Sequence, residues 1–264
     1  MVRERLVVVA PGPDTFRWVG RDLSIHPALV AVDRAGRPRF FGEEVLSSVA
    51  GQWGDYELVS PFSSVESSSM ELTLAYMSWL VTEAPHAARR KATVLLVPTG
   101  AQFLWRRVGD RLPGETAVLL RPVTMAMGLG LDVDASSPHF LLDVRADGAE
   151  VSVVCESRVV GAQEAAGPSP EALAEAALQL FGELDPDLEY EARNGGAHAM
   201  GLAAEDAQTL AGLLGLTIRV ATQPERVLAR GVLADRNLIE TYFRKSRSWT
   251  GRLLGGSRRP LGAG

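Results

Sequence analysis

Strand-like and helix-like segments alternate along this chain on both sides of a central β-hairpin. The hairpin consists of two β-rich runs, 140–144 and 150–155, joined by the short polar turn 145–149. A buried-type strand at 92–97 precedes the hairpin, and a helix at 171–183 follows it. This alternation predicts an α/β protein in which helices pack on mixed sheets.

The composition is that of an ordinary globular protein, with 46% hydrophobic and 22% charged residues. A chain of 264 residues can form one large domain or two smaller ones, each with its own core. No apolar run approaches the ~20 residues that span a bilayer, and no secretory signal precedes the first apolar run, 6–10. The single cysteine, Cys155, excludes an internal disulfide framework and a thiolate metal cluster. These features predict a cytoplasmic protein.

The charge is unevenly distributed along the chain. The formal net charge is −5, but residues 241–264 carry six basic side chains and no acidic one, so residues 1–240 carry −11. A basic segment on an acidic body is expected to meet something anionic, such as a membrane surface or the acidic face of the body itself. A solvated terminus is the alternative.

Five segments carry motifs that occur in the same order in one known family. They are 26–44, 94–100, 121–131, 194–202 and 216–231. The first contains the run His-Pro-Ala-Leu-Val-Ala-Val-Asp and ends in Phe-Gly-Glu-Glu. The third is Arg-Pro-Val-Thr-Met-Ala-Met-Gly-Leu-Gly-Leu. On these segments the chain resembles the bacterial actin homologue MreB, a member of the actin and sugar-kinase superfamily.

The resemblance implies an actin-like fold, in which two duplicated, ribonuclease H-like domains with mixed sheets flank a nucleotide cleft. Residues 1–120 would form subdomains IA and IB, and residues 121–235 would form subdomain IIA. The segment between Gly161 and Asn194 is far shorter than its counterpart in the family, so we expect subdomain IIB to be missing and the fold to be truncated. Residues 236–264 form the basic tail.

The chain departs from the family at the residues that bind metal and phosphate. Val-Val-Val-Ala-Pro-Gly-Pro, residues 7–13, replaces the family's Asp-Leu-Gly-Thr loop. In the second phosphate hairpin Asp143 and Glu150 match the family, but Arg-Ala-Asp, residues 145–147, replaces three glycines. A phosphate-binding hairpin needs glycine so that backbone N–H groups can approach the anion. The family's glutamate that activates the attacking water corresponds to Arg121.

These departures predict a pseudo-ATPase with no catalytic residues and no cofactor, although ATP with Mg²⁺ remains the alternative. The vestigial nucleotide cleft would retain five residues: Asp143, Arg145, Gly148, Gly195 and Gly196, the last two in the family's adenosine loop. We expect Arg145 to face solvent or to pair with Asp147 or Glu150. The alternative is that Arg145 binds phosphate in place of the glycines.

Two basic segments are candidates for contact with a membrane or a partner. The polar loop 83–91 contains Arg89, Arg90 and Lys91, at a position where several MreB relatives carry a membrane-inserting loop. The tail candidates are Arg244, Lys245, Arg247, Trp249 and Arg252. Basic residues interleaved with apolar ones are typical of an interfacial helix, and a helix docked on the domain is the alternative. Nucleic acid is not expected as a partner because the body is acidic.

The sequence therefore predicts a catalytically inactive MreB-like scaffold in bacterial cell-shape, cell-wall or spore-wall machinery. Its partners would be proteins, such as a full-length MreB relative or cell-wall synthesis proteins, with the inner face of the cell membrane as a further contact. One alternative is a functional, polymerising ATPase with atypical phosphate loops. A second alternative is an adaptor that binds the membrane surface through its tail.

Overall fold

The computed structural model describes residues 6–19, 22–51, 54–62, 67–83, 92–146 and 148–234. Its strands are β1 (Leu6–Ala10), β2 (Asp14–Val19), β3 (Asp22–Pro27), β4 (Val30–Asp33), β5 (Pro38–Phe41), β6 (Tyr56–Val59), β7 (Ala92–Val97), β8 (Thr116–Leu120), β9 (His139–Arg145), β10 (Gly148–Cys155), β11 (Arg158–Ala165), β12 (Ala197–Met200) and β13 (Ile218–Val220). Its helices are α1 (Glu44–Ser48), α2 (Ser67–Thr82), α3 (Gln102–Gly109), α4 (Arg121–Gly128), α5 (Pro170–Glu183), α6 (Pro186–Gly195), α7 (Ala204–Leu214) and α8 (Pro224–Ala234).

Two five-stranded sheets repeat the same topology. In the first, β1, β2 and β3 form an antiparallel meander, and β7 and β8 extend it in parallel with β1, which gives the order β3-β2-β1-β7-β8. In the second, β9, β10 and β11 form the meander and β12 and β13 extend it, which gives β11-β10-β9-β12-β13. The predicted α/β fold with duplicated mixed sheets is confirmed.

A third, three-stranded sheet with the order β5-β4-β6 is inserted in the first half, between β3 and β7. The second half has no such insertion between its own meander and β12. There the structure describes every residue of 166–196, and this segment contains α5 and α6 but no strand.

Successive residues of a strand point to opposite faces of its sheet, and the two faces of each sheet pack in different hydrophobic cores. In β1, Val7 and Val9 pack with α2 and α3 on one face, while Val8 and Ala10 pack with α4 and α8 on the other. In the second sheet, residues such as Leu142 pack with α5 and α7, while Leu141 faces α4 and α8. Helices α4 and α8 therefore form a shared layer between the two sheets.

The two central helices cross with their backbones in close approach. A Cβ atom on Gly128 of α4 would collide with the carbonyl oxygen of Val227, and one on Gly231 of α8 would collide with that of Thr124. Glycine is therefore required at both positions by the close contact between the two helices, and not by a turn.

Candidate functional site

The β9–β10 hairpin closes at Arg145 and Gly148, which pair across the ladder. The side chains of Arg145 and Ala146 extend from the turn into the space between the two halves. The region that the resemblance assigns to bare phosphate-binding backbone is thus occupied by side chains. Asp147 lies outside the described residues.

Asp143 is the centre of an ionic cluster that we define as Asp143, Arg121 and Arg145. Its carboxylate is 3% exposed and accepts two hydrogen bonds from Arg121, at 2.7 Å from Nε and 3.0 Å from Nη2. Nη1 of Arg145 donates a third at 3.2 Å. Arg121 reaches the carboxylate because it begins α4, directly after β8, with Pro122 at the first turn. One buried carboxylate is therefore held by cations from two elements.

The cluster keeps Asp143 ionised. Burial alone would raise the pKa of this carboxyl group, because the charged form loses its solvation. The charge and hydrogen bonds of Arg121, followed by those of Arg145, outweigh burial and hold the pKa of Asp143 below its ordinary value. The charge that a metal ion would otherwise balance is balanced by the protein itself.

The expectation that Arg145 faces solvent is wrong, because its guanidinium turns back onto Asp143 and only 13% of the side chain is exposed. Its positive charge also acts on Glu150, one of the two expected partners, and the other, Asp147, lies outside the described residues. Residues 143 and 145 lie two apart on one strand and so project from the same face. A buried carboxylate within that reach attracts the cation more strongly than an exposed turn residue does.

Glu150 links the two halves next to the cluster. Its carboxylate accepts hydrogen bonds from the backbone N–H of Thr99 and from Oγ1 of Thr99, each at 2.9 Å. Thr99 follows β7 in the first half, whereas Glu150 lies on β10 in the second. Burial raises the pKa of Glu150, and the two hydrogen bonds from Thr99 oppose that rise only in part.

The Glu150→Gln variant is expected to remove one pH-dependent component of stability. A carboxyl group whose pKa is raised by folding stabilises the fold fully below its unfolded value of about 4.3, and that contribution is lost as pH rises through the folded pKa. The amide of the introduced glutamine can accept the backbone N–H of Thr99 through its oxygen and donate an N–H to Oγ1 of Thr99, so both contacts persist without the charge. The free energy of unfolding of the variant should therefore lack this loss above about pH 4.3. Urea unfolding over this range measures it. Glu164→Gln, at the exposed residue paired with Glu150 on β11, should leave the profile unchanged.

The cluster lies beside a cavity of about 380 Å³ between the two halves. The β1–β2 turn forms one wall with Pro11, Gly12 and Pro13, and Asp14 is the one carboxylate among the described residues that line the cavity. A second cavity of about 280 Å³, which Gly148 lines, shares Pro11, Gly12 and Arg145 with the first. The β1–β2 turn and Arg145 therefore stand between the two cavities.

No family model and no curated protein matches this chain by sequence. Solved structures do match it. MreB5 of Spiroplasma citri bound to ADP superposes with a TM-score of 0.75 at 11% identity, over 90% of this chain and 98% of that chain. The MamK double helical filament matches with a TM-score of 0.61 at 13% identity, over 89% and 99% of the chains. Apo psk41 ParM matches with a TM-score of 0.57 at 10% identity, over 90% and 98%.

The fold is actin-like. The predicted resemblance to bacterial actins is thereby confirmed at the level of fold, which is what a likeness at such low identity shows. In the actin-like frame, the β1–β2 and β9–β10 hairpins face each other across the cleft, and the ionic cluster lies at the base of the second.

The structure does not bring Gly195 and Gly196 to the cleft. They precede β12, whereas Asp143 pairs with Met200 at the other end of that strand. Gly201 follows Met200 and lines the larger cavity with Arg145. Its φ of +79° lies in the left-handed region, and a Cβ there would collide with the carbonyl oxygen of Val144. Gly201, and not the predicted pair Gly195 and Gly196, is therefore the glycine that lies at the cleft.

The described part of this actin-like cleft offers few free oxygen ligands for a metal ion. Mg²⁺ is bound through oxygen ligands, usually one or two carboxylates with waters. Asp143 is engaged on both oxygens by arginine, and Glu150 is engaged by Thr99. Of the carboxylates that the structure describes on the cavity wall, this leaves Asp14. Over the described ranges, no group of three or more His, Cys, Asp or Glu side chains could hold a metal ion. The described residues of the cleft do not fit a magnesium-nucleotide site.

The predicted contact residues on the two basic segments fall outside the part of the chain that the structure describes. These are Arg89, Arg90, Lys91, Arg244, Lys245, Arg247, Trp249 and Arg252. Of the helices that are described, none combines the length and the apolar character needed to cross a membrane.

Proposed function

We propose that this protein is a catalytically inactive actin-like scaffold that acts by binding other proteins. The observation that carries the proposal is the ionic cluster, in which Arg121 and Arg145 occupy both oxygens of Asp143. By the resemblance, Asp143 would face Mg²⁺ and Arg121 would be the glutamate that activates water. Arg121 thus binds the carboxylate that would face the metal ion, and Arg121 also stands in place of the family's water-activating glutamate.

Several elements that phosphoryl transfer needs are altered in this chain. Catalysis is almost entirely positioning and neutralisation of the phosphoryl group, mostly through the metal ion. Losing one such electrostatic element costs ~10²–10³ in rate. Here the metal-facing carboxylate, the water-activating base and the glycine cradle are all altered together. Turnover of ATP should be negligible.

The proposed domain arrangement is 1–120 as subdomains IA and IB, 121–235 as subdomain IIA without IIB, and 236–264 as the basic tail. The inserted three-stranded sheet in the first half, without a counterpart in 166–196, supports this division. A cytoplasmic scaffold of this shape would bind a full-length actin-like relative or cell-wall synthesis proteins. The MamK structure is a double helical filament, which shows that this fold supports protein–protein assembly in that relative.

Titration calorimetry with Mg-ATP tests the inactive cleft. The purified full chain is expected to give no binding heat at micromolar nucleotide and no phosphate release. Micromolar affinity for Mg-ATP would overturn the proposal.

The Arg145→Ala variant separates the proposal from an ATPase with atypical phosphate loops. If Arg145 binds phosphate in place of the glycines, this variant should abolish a phosphate release that the natural chain shows. Under our proposal neither protein releases phosphate. ATP-dependent filaments of the pure natural chain, seen by electron microscopy, would contradict the scaffold role.

A further inference from the structure

A buried histidine on β3 joins a serine to a glutamate, in a group that we define as the edge triad: Ser24, His26 and Glu43. Nε2 of His26 lies 2.9 Å from Oγ of Ser24, and Nδ1 lies 3.1 Å from the carboxylate of Glu43. Ser24 and His26 are two residues apart on one strand and therefore project from the same face of the sheet. Glu43 directly precedes α1. The triad lines neither of the two cleft cavities, so it is separate from the ionic cluster.

The partners of His26 determine where the protons of the triad lie. An ionised carboxylate can only accept, so Nδ1 of His26 carries a proton and donates it to Glu43. In the neutral imidazole Nε2 is then the acceptor, and the hydroxyl of Ser24 donates to it. The other acceptor for this hydroxyl, the carbonyl oxygen of Arg17, is farther away at 3.4 Å. Ser24 is therefore placed against a base whose second nitrogen is held by a carboxylate, which is the arrangement that activates a serine.

Packing fixes the histidine but leaves the serine accessible. The side chain of His26 is 4% exposed and meets the ring of Trp79 edge to face, with the ring centroids 5.7 Å apart. Ser24 is partly exposed, and β3 is the outermost strand of its sheet among the strands that the structure describes. A histidine that only stabilises the core needs partners for its nitrogens, but it does not need a solvent-accessible hydroxyl as one of them.

The backbone next to Ser24 offers a donor for a developing negative charge. The N–H of Ala28 bonds the carbonyl oxygen of Pro13, and in an antiparallel ladder the residues that bond the neighbouring strand alternate with those that do not. By this alternation the N–H groups of Ser24 and His26 point to β2, and the N–H of Ile25 points to the open edge. The N–H of the residue after a nucleophilic serine is a known oxyanion donor in hydrolases.

Arg17 places a positive charge on the same face of the sheet. It is the cross-strand partner of Ser24 on β2, and it is buried. Burial lowers the pKa of Arg17, and the charge of Glu43 opposes that fall, so the guanidinium lies within electrostatic reach of the triad. A fixed cation beside the serine stabilises the negative charge that develops when its oxygen attacks a carbonyl group.

We propose that Ser24 is a nucleophile that hydrolyses small carboxylic esters, with His26 as the general base and Glu43 as a positioning residue. Oγ of Ser24 bonds to the carbonyl carbon while Nε2 of His26 takes the hydroxyl proton, and the N–H of Ile25 donates to the oxyanion. The bond to the alcohol then breaks, and His26 returns the proton to the leaving oxygen. Water attacks the acyl-serine in the same way, which releases the acid and restores Ser24. This reaction is separate from phosphoryl transfer and does not depend on the cleft.

A fluorophosphonate probe tests the nucleophile on the full natural chain. Such a probe forms a bond between its phosphorus and an activated serine oxygen with loss of fluoride, and mass spectrometry of the digested protein identifies the modified residue. We expect the label on Ser24, and none on the Ser24→Ala variant or on natural chain unfolded in urea. The proposal is overturned if the folded natural chain takes up no label, or if the label lies on another residue.

Hydrolysis of p-nitrophenyl acetate tests the base and its positioning residue. The natural chain should release a burst of about one equivalent of p-nitrophenolate, which Ser24→Ala should lose. His26→Gln should lower kcat by ~10²-fold or more, and thermal unfolding shows whether this core variant folds. Glu43→Gln changes a side chain that is 55% exposed, so it tests the triad without disturbing the core.

The expected effect of Glu43→Gln follows from the tautomer of His26. The introduced amide can donate to Nδ1, which leaves the proton on Nε2, where it prevents acceptance from Ser24. We expect kcat to fall at least about tenfold at an unchanged KM. A Glu43→Gln protein that hydrolyses the ester at the natural rate would overturn the assignment of the triad.

Matched controls remove the same side chains elsewhere. Ser47→Ala removes an exposed hydroxyl from α1, and His139→Gln removes a partly exposed imidazole that bonds the carbonyl oxygen of Asp132. Both variants should take up the label and hydrolyse the ester like the natural chain. Equal losses of kcat from His139→Gln and His26→Gln would show hydrolysis by imidazoles in general, and would overturn the proposal.

Discussion

The Asp143→Ala variant is expected to lose about 3–5 kcal/mol of the free energy of unfolding. Removing this carboxylate leaves the buried guanidinium of Arg121 without the ion-pair partner that binds it at 2.7 Å. Breaking a buried ion pair costs more than the pair itself contributes, because the remaining charge stays desolvated. Urea unfolding measures the change as a fall in the midpoint at an unchanged slope.

Two variants test whether burial is the cause. Asp55→Ala breaks the Arg34–Asp55 ion pair, which has a similar distance of 2.9 Å but is exposed on both sides, and it should cost about 1 kcal/mol or less. The double variant Asp143→Leu with Arg121→Met replaces the pair with apolar side chains and should recover most of the lost stability. Equal losses of unfolding free energy from Asp143→Ala and Asp55→Ala would show that burial does not make the ion pairs of Asp143 more costly to break than an exposed pair.

The pH profile of the same variants has a definite sign. Folding lowers the pKa of Asp143, so its contribution to stability is fully present above the unfolded value of about 3.9 and is lost as pH falls through the folded pKa. The natural chain should therefore lose stability in acid, below about pH 4, where Asp143→Ala should lose less. Glu150 acts in the opposite direction and at higher pH, so the two components can be resolved in one titration.

Local signals in the sequence predicted much of the fold. Ser169 does cap α5, since its side chain accepts a hydrogen bond from the backbone N–H of Ala172, and Pro170 occupies the first turn. Gly215 ends α7 in the left-handed conformation. Each signal is contained within a few residues, so no tertiary information was needed to interpret it.

Strand β3 was not predicted, because its polarity is inverted. Leu23 and Ile25 are exposed on this edge strand, while His26 is buried and bonds Ser24 and Glu43. A strand is recognised in a sequence when apolar residues alternate with polar ones and the apolar residues face the core. In β3 the buried residue is polar, and the exposed residues Leu23 and Ile25 are apolar.

The sequence named the three residues of the ionic cluster but not the ion pairs between them. The family resemblance located Asp143 and Arg145, but the bond from Arg121 to Asp143 spans 22 residues and depends on how α4 meets β9. Two adjacent glycines at 195 and 196 also gave a stronger loop signal than the single Gly201. The signal for Gly201 was its place directly after a short apolar strand, 197–200, where the carboxyl ends of parallel strands meet a cleft.

The Gly231→Ala variant is expected to lose at least about 3 kcal/mol of the free energy of unfolding, toward or beyond the upper end of overpacking costs. The added Cβ would collide with the carbonyl oxygen of Thr124, which is backbone and cannot move as a flexible side chain would. Helices α4 and α8 fill the layer between the two sheets, so moving them apart opens the core that joins the halves. Gly128→Ala should behave alike, because its Cβ meets the carbonyl oxygen of Val227.

Gly212→Ala provides the matched control for this crossing. Gly212 lies within α7, is exposed, and has nothing within 4 Å of the position of an added Cβ. Alanine there should stabilise the protein by about 0.5–1 kcal/mol, since it restricts the unfolded chain and favours the helix. Thermal unfolding should therefore move in opposite directions for the two substitutions. A Gly231→Ala protein that melts with the natural chain would mean that α4 and α8 do not cross in close backbone contact between the two sheets.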